Sequence, residues 1–181
     1  MNSRGWRLSG DSCRRTGAKY IARVTTLPDS AQRVQKAADL LALDIAVREM
    51  AQPTRTAEEA AAACGVTVGQ IVKSLVFLGA QSGKPYLLLV SGVNRVDEKG
   101  VAAHLGEALV RPDANKVRDL TGYAIGGIPP FGHATAIATY IDRDLLGYDV
   151  VWAAAGTPRA VFAVDPKKLQ AATGATVTNM T

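Results

Sequence analysis

Leu75-Val76-Phe77-Leu78-Gly79-Ala80-Gln81-Ser82-Gly83-Lys84-Pro85-Tyr86-Leu87-Leu88-Leu89-Val90 holds two apolar runs separated by a polar, glycine-bearing break. Leu75 to Leu78 and Pro85 to Val90 are short, rich in branched and aromatic residues, and bounded by turn residues, so both read as strands. Ser82-Gly83-Lys84 supplies the turn, and the two runs form a hairpin. Consecutive strands joined by a tight turn rule out a regular βαβ array here.

Working outward from the hairpin, the chain alternates short strands with short helices. Val66 to Lys73 reads as a short helix leading into the first strand. Before it, Thr56 and Glu59 have the spacing of a helix N-cap and its third residue, the Ala run 60–63 continues the helix, and Gly65 closes it. Further upstream, Pro28 and Asp29-Ser30 start a helix on which Val34, Ala37, Ala38 and Leu41 recur at helical spacing. Ile45 and Val47 alternate with polar neighbours as a short strand, broken by Gln52-Pro53-Thr54. Downstream, Val96 to His104 reads as a helix, Ala108 to Val110 as a strand, and Asn115 to Leu120 as a helix ended by Gly122. Thr135 to Ile141, Val150 to Ala155 and Ala160 to Val164 are three further strands, the last two joined by Gly156-Thr157-Pro158. A helix from Pro166 through Ala172 and a short strand end the chain. The expected fold is α/β (α+β): a mixed, mostly antiparallel sheet, curled or barrel-like, surrounded by helices.

At 181 residues, 48% hydrophobic and 20% charged, the chain has the size and composition of one globular domain. Its formal charge of +5 is unevenly placed. Arg4, Arg7, Arg14, Arg15, Lys19 and Arg23 face Asp11 alone in the first 23 residues, and the rest of the chain is neutral. Residues 1–24 are therefore expected to be a basic, disordered extension, and 25–181 the folded domain. The extension is Arg-rich and acid-poor, as transit peptides are, but lacks the apolar core of a secretory signal. A neutral body must meet any nucleic acid through a local patch rather than a broad positive field. Few aromatics argue against a base-stacking RNA platform. Cys13 and Cys64 lack the spacing of a metal or redox pair, so no metal or cofactor is expected and a reduced, cytoplasmic setting fits. No apolar run reaches the roughly 20 residues of a membrane span.

Two features offer chemistry. Lys73 sits among apolar neighbours, where an ammonium must either reach water or meet an anion; a surface lysine ending a helix is the plainer reading. The loop Gly126-Gly127-Ile128-Pro129-Pro130-Phe131-Gly132-His133 puts three glycines and two prolines in eight residues. Glycines let backbone approach a ligand and prolines fix the loop beforehand, which suits an oxyanion hole; an ordinary rigid turn has the same composition. His133 is either a proton-handling or substrate-binding group or an anchor for its own loop. His104 is expected to be structural or exposed, and Cys64 a small apolar residue. Gly156-Thr157 is most simply a hairpin turn; the alternative is a turn whose rim faces a ligand.

Several segments in order extend these two features. They are Thr54-Arg55-Thr56-Ala57-Glu58-Glu59-Ala60, Gln70-Ile71-Val72-Lys73-Ser74-Leu75-Val76-Phe77, Ser91-Gly92 with Asn94-Arg95-Val96-Asp97, the loop 126–133, Tyr140-Ile141-Asp142, and Ala155-Gly156-Thr157-Pro158. In this order the set resembles the YbaK/ProX family of aminoacyl-tRNA editing domains, and the resemblance covers roughly residues 28–178. The resemblance implies a trans-editing hydrolase, an aminoacyl-tRNA deacylase that splits the ester between a small amino acid, Ala, Cys or similar, and the wrong tRNA, tRNA-Pro being the expected carrier. It implies a free-standing monomer or weak dimer whose partner is the tRNA acceptor end, with prolyl-tRNA synthetase as a candidate second partner. The family's lysine falls on Lys73, the catalytic candidate. The substrate-binding candidates are Ser91, Gly126, Gly127, Ile128, Pro130, Phe131, Gly132, His133 and Gly156. The alternative is a non-catalytic module of the same fold that binds aminoacyl-tRNA or a nucleotide and regulates a synthetase.

Overall fold

In the computed structural model, residues 27–54 and 56–181 are described; the basic extension 1–24, with Cys13, and Arg55 lie outside the described residues. Five helices, α1 (Asp29–Leu40), α2 (Ala57–Cys64), α3 (Glu98–Leu105), α4 (Ala114–Thr121) and α5 (Pro166–Thr173), surround one sheet. Its strands are β1 (Arg48–Glu49), β2 (Ile71–Gly79), β3 (Pro85–Ser91), β4 (Leu109–Val110), β5 (Ala138–Asp142), β6 (Val151–Ala154), β7 (Ala160–Val164) and β8 (Thr176–Thr178). They pair in the order β1-β7-β6-β2-β3-β5-β8, with β4 added to β2. The sheet is mixed: β1–β7, β2–β3, β2–β4 and β6–β7 are antiparallel, while β2–β6, β3–β5 and β5–β8 are parallel.

The hairpin is the centre of the fold, as its sequence predicts. β2 and β3 pair from Val72↔Ser91 to Leu78↔Pro85. Glu107 secures the turn: its carboxylate accepts from the Gln81 and Ser82 amides and from the Ser82 and Tyr86 hydroxyls. Those donors, the Ser82 hydroxyl first, hold the Glu107 carboxyl down at about 2. Leu87, Leu88, Leu89 and Val90 are fully buried because helices cover both faces of β3. Leu87 and Leu89 join the main core with Val34, Ile141 and Phe162, while Leu88 and Val90 pack with Phe77 and Val101 on the opposite side. A third, smaller cluster joins Ala60 and Ala61 of α2 to Ile71.

Four expected boundaries differ by two residues or more, each for an identifiable reason. Val66 to Lys73 is not a helix: only Val68–Gln70 turns, as 3-10, within a Thr67/Gln70 capping box. The β-branched pair Ile71-Val72 then aligns with Trp152 and Ala153, so Lys73 lies inside a strand. Ile45 and Val47 do not pair with a strand, because the Gln35 side chain donates to the Ile45 carbonyl and accepts from the Val47 amide. The strand falls instead at Arg48–Glu49, against β7. α3 begins at Glu98 rather than Val96, behind the Asp97 cap. β5 begins at Ala138, since the Thr135 amide and hydroxyl both donate to the Leu120 carbonyl at the end of α4. The Thr56 and Gly65 caps fall where expected: Thr56 accepts from the Glu59 amide and Gly65 is left-handed.

β2 has one irregular edge. β3 runs along the whole of one side, but on the other β6 pairs only at Ile71 and Val72, and β4 only at Leu78 and Gly79. Residues 73–77 have no strand beside them on that edge among the described residues.

Candidate active site

The gap beside β2 opens into a cavity of about 370 Å³, in the range of small-molecule sites. One wall is α2, through Ala57, Ala60 and Cys64. A second is β2, from Ile71 to Leu75. Trp152 and Ala154 of β6, Thr157, and the loop residues Ile125, Gly126 and Ile128 complete it. The lining is mostly apolar, and Lys73 is its one charged member among the described residues.

Lys73 is held from behind. Its ammonium donates to the Gly92 carbonyl at 3.0 Å and to the Asn94 carbonyl. An ammonium has three N–H donors, so one is left for the cavity. Burial pushes the Lys73 amine below its ordinary basicity, while the Glu58 and Asp142 carboxylates pull it back up and Arg95 opposes them. The segment carrying the two carbonyls is fixed by Asp142, which is fully buried. Its carboxylate accepts from the Ser91 amide at 3.1 Å, the Asn94 side-chain amide at 2.8 Å and the Asp144 amide at 3.2 Å. Asp142 therefore acts on the cavity through the strand end that anchors Lys73.

The structure gathers some of the sequence candidates and separates others. Lys73, Gly126 and Ile128 line the cavity. Ser91 does not: it is fully buried, and its hydroxyl donates to the Gly69 carbonyl at 2.8 Å. Phe131 is a core residue, its ring 5.5 Å from that of Phe162. Pro130 is buried beside it, outside the lining, as is exposed Gly132, whose carbonyl accepts from the Tyr123 hydroxyl. His133 ties the loop to itself, with Nε2 2.8 Å from the Pro129 carbonyl oxygen, and also lies off the cavity. Burial lowers its basicity, against the effect of that bond.

Gly127 and Gly156 also lie outside the lining, and they join the two loops. The Gly156 amide donates to the Gly127 carbonyl at 2.8 Å. A Cβ on Gly127 would fall 2.8 Å from Thr157 backbone, and one on Gly156, at φ +89°, would fall 2.7 Å from the Ser30 carbonyl. The Gly127 amide is itself taken by the Ala124 carbonyl. Neither glycine N–H is thus available as an oxyanion donor; the smallness of Gly127 serves the contact between loops, and that of Gly156 the packing on the start of α1.

The α2 wall was missed by the sequence reading. Its signal was present: Ala57, Ala60 and Cys64 follow one another at three and four residues, a stripe of small side chains down one helix face. Cys64 is half-buried, and burial pushes its thiol up, consistent with a small packing residue rather than a nucleophile. Trp152 was likewise not singled out; Arg48 covers it, the guanidinium 5.9 Å from the ring centre. Among the described residues no cluster of His, Cys, Asp or Glu could hold a metal ion, and no helix is long and apolar enough to cross a membrane.

Comparison with known proteins agrees with this architecture. Residues 51–172 match the aminoacyl-tRNA editing domain family. Uncharacterized protein YwhH of Bacillus subtilis (strain 168) is 32% identical over 123 residues, covering 68% of this chain and 78% of that protein. EbsC of Enterococcus faecalis (strain ATCC 700802 / V583), a candidate Cys-tRNA(Pro)/Cys-tRNA(Cys) deacylase, is 31% identical over 104 residues, 56% of this chain and 62% of that protein. The crystal structure of a candidate trans-editing enzyme for prolyl tRNA synthetase shares 51% identity at a TM-score of 0.80, over 86% of this chain and 98% of that one. A family match over more than half the chain, joined to the same mixed sheet in a relative of that identity, shows that this protein belongs to the aminoacyl-tRNA editing domain family, YbaK/ProX.

Proposed function

We propose that the protein is a trans-editing hydrolase that deacylates tRNA mischarged with a small amino acid such as Ala or Cys, with tRNA-Pro as the expected carrier. The observation that carries this reading is a small apolar cavity with one cation among the described residues, Lys73, anchored at its wall. An aminoacyl ester is already activated, so the protein needs to orient water and stabilise the oxyanion rather than supply a strong nucleophile. The apolar lining takes the amino-acid side chain, and the Ala57–Ala60–Cys64 face limits its size. A hydrophobic pocket discriminates by about 1–3 kcal/mol per methylene, so excluding larger side chains by volume is the stronger filter.

Lys73 offers its third N–H to the phosphate or sugar of the terminal nucleotide. With His133 turned into its own loop, proton movement falls to water and to the ribose hydroxyl next to the ester. The test is a deacylation panel with tRNA carrying Ala, Cys, Ser or Pro. Turnover of the small mischarged species above the spontaneous rate is the expected result. No turnover on any of them sinks the hydrolase reading and leaves a binding module of the same fold.

A further inference from the structure

The open edge of β2 inside the cavity has a definite chemical complement. In an antiparallel pair, alternate residues turn both main-chain polar groups toward the partner strand and the residues between them turn both away. Three observations fix the phase for β2 and β3. The Gly79 amide donates to the Lys84 carbonyl across the hairpin, which makes the odd-numbered residues of β2 the inward set. Leu78 faces Pro85, which has no N–H to exchange, so the even-numbered positions are the outward set. The amide of Ser91, opposite Val72, points away from β2 to Asp142. Val72 spends its outward groups on β6 and Leu78 on β4. Ser74 and Val76, between them, turn their N–H and C=O groups into the gap, and of the two only Ser74 lines the cavity.

Ser74 also carries the one buried side-chain polar atom without a hydrogen-bond partner among the described residues, its Oγ. The residue as a whole is half-buried, so what it shows to the cavity is backbone and Cβ. The Oγ is turned away from the cavity, so the groups left for a ligand to pair are the main-chain N–H and C=O, and native structures pair nearly all such groups.

We infer that Ser74 binds the α-amino and carbonyl groups of the acyl moiety as a strand residue binds its opposite number. An α-aminoacyl group is one amino-acid residue, with an N–H donor and a C=O acceptor in the spacing of an antiparallel partner. The Ser74 carbonyl accepts from the ligand ammonium, and the Ser74 N–H donates to the ligand carbonyl. This selects an α-aminoacyl group over an equally small acyl group without the amine. It is main-chain recognition of the strand-addition kind, reduced to a single residue. The inference rests on the hydrolase reading only for the identity of the ligand.

The test uses the full chain, ¹⁵N-labelled, with two hydrolysis-resistant probes: adenosine bearing a 3′-alanylamide, and the same compound bearing a 3′-propionylamide, which lacks only the amine. The alanyl probe should bind roughly ten- to a hundred-fold more tightly, the range for one charge-assisted bond in a dry site. It should shift the Ser74 amide resonance and slow its hydrogen exchange, which is expected to be fast in the free protein. Equal affinities, an unmoved Ser74 amide, one already protected without ligand, or no binding of either probe each overturns the assignment. Turnover of Ala-tRNA on the same preparation keeps the two readings apart. Turnover with equal probe affinities overturns the Ser74 role and leaves the hydrolase. An alanyl preference without turnover supports the Ser74 role and removes the hydrolase.

Discussion

Replacing Asp142 by alanine would separate the support of the site from its surface, because Asp142 is fully buried and does not line the cavity. The carboxylate takes three bonds, from the Ser91 amide, the Asn94 side chain and the Asp144 amide. Their losses are unequal. The Ser91 amide lies in a fully buried residue and would be orphaned, at about 1–3 kcal/mol. The Asp144 bond caps the 3-10 turn Arg143–Gly147, and losing a cap costs about 1 kcal/mol. Asn94 also donates to Asp144 Oδ2 at 2.7 Å and keeps that partner. The expected total is about 3 kcal/mol, or about 6–12 °C in Tm for a chain of this size. Urea unfolding and a thermal scan measure it. The Gly92 and Asn94 carbonyls that hold Lys73 belong to the segment so released, so kcat/KM on the preferred mischarged tRNA should fall roughly ten- to a hundred-fold in protein that is still folded. Asp142→Asn, which keeps one acceptor for the Ser91 amide, should recover part of both losses. A stability loss below about 1 kcal/mol with normal turnover would refute the claim that Asp142 positions Lys73.

Lys73→Ala should abolish deacylation while Tm moves little, because its two partners are carbonyls of a turn that water can reach; near-normal turnover by the folded variant would remove Lys73 from the site. Gly127→Ala should destabilise the chain by about 1–3 kcal/mol, since its Cβ meets Thr157 backbone that cannot yield cheaply; an unchanged urea midpoint would show that the two loops are not in fixed contact. For His133, burial holds the folded basicity below the ordinary 6.5. Above that value the imidazole is neutral in both states and adds no pH dependence. Below it the unfolded chain takes up a proton that the folded chain resists, so stability falls with pH down to the folded value. Thermal scans between about pH 8 and pH 5 should show this decline, and His133→Gln should flatten it; identical profiles would place the imidazole in water.

The parts of the fold legible in the sequence were those set by local chemistry. The hairpin, the Thr56 and Gly65 caps and the Gly122 stop are determined by residues close to one another, and the structure has each. The helix expected over Val66 to Lys73 failed because its local pattern is ambiguous and a distant partner decides it: Ile71 and Val72 align with β6, some eighty residues away. The same tertiary choice governed the site. Glycines 126, 127, 132 and 156 were read as room for a ligand. In the structure Gly127 makes room for the Thr157 loop and Gly156 for the first turn of α1, and only Gly126 reaches the cavity. Composition indicates that backbone approaches something closely; it does not say what. The irregular edge of β2 was invisible because it is created by where β6 and β4 stop, not by any residue of β2.

That edge changes how the site divides its work under the proposed function. A trans-acting editor must read three things at once: that the substrate is an aminoacyl ester, that its side chain is small, and that it sits on a nucleotide end. The structure offers a separate element for each. Under that function the Ala57–Ala60–Cys64 face would meet the side chain, the Ser74 main chain the amine and carbonyl, and the Lys73 ammonium the nucleotide. The three are physically distinct, being steric, dipolar and charged, so their effects should be separable. Enlarging a small residue on α2 shifts the preference among side chains. Removing the ligand amine weakens every side chain alike. Raising the salt concentration weakens only what Lys73 contributes, and weakly, because the ammonium is half-buried and fixed by two carbonyls. A shallow salt dependence with a strong demand for the α-amine is the signature of this arrangement, and a steep one would move recognition from the cavity to a basic surface.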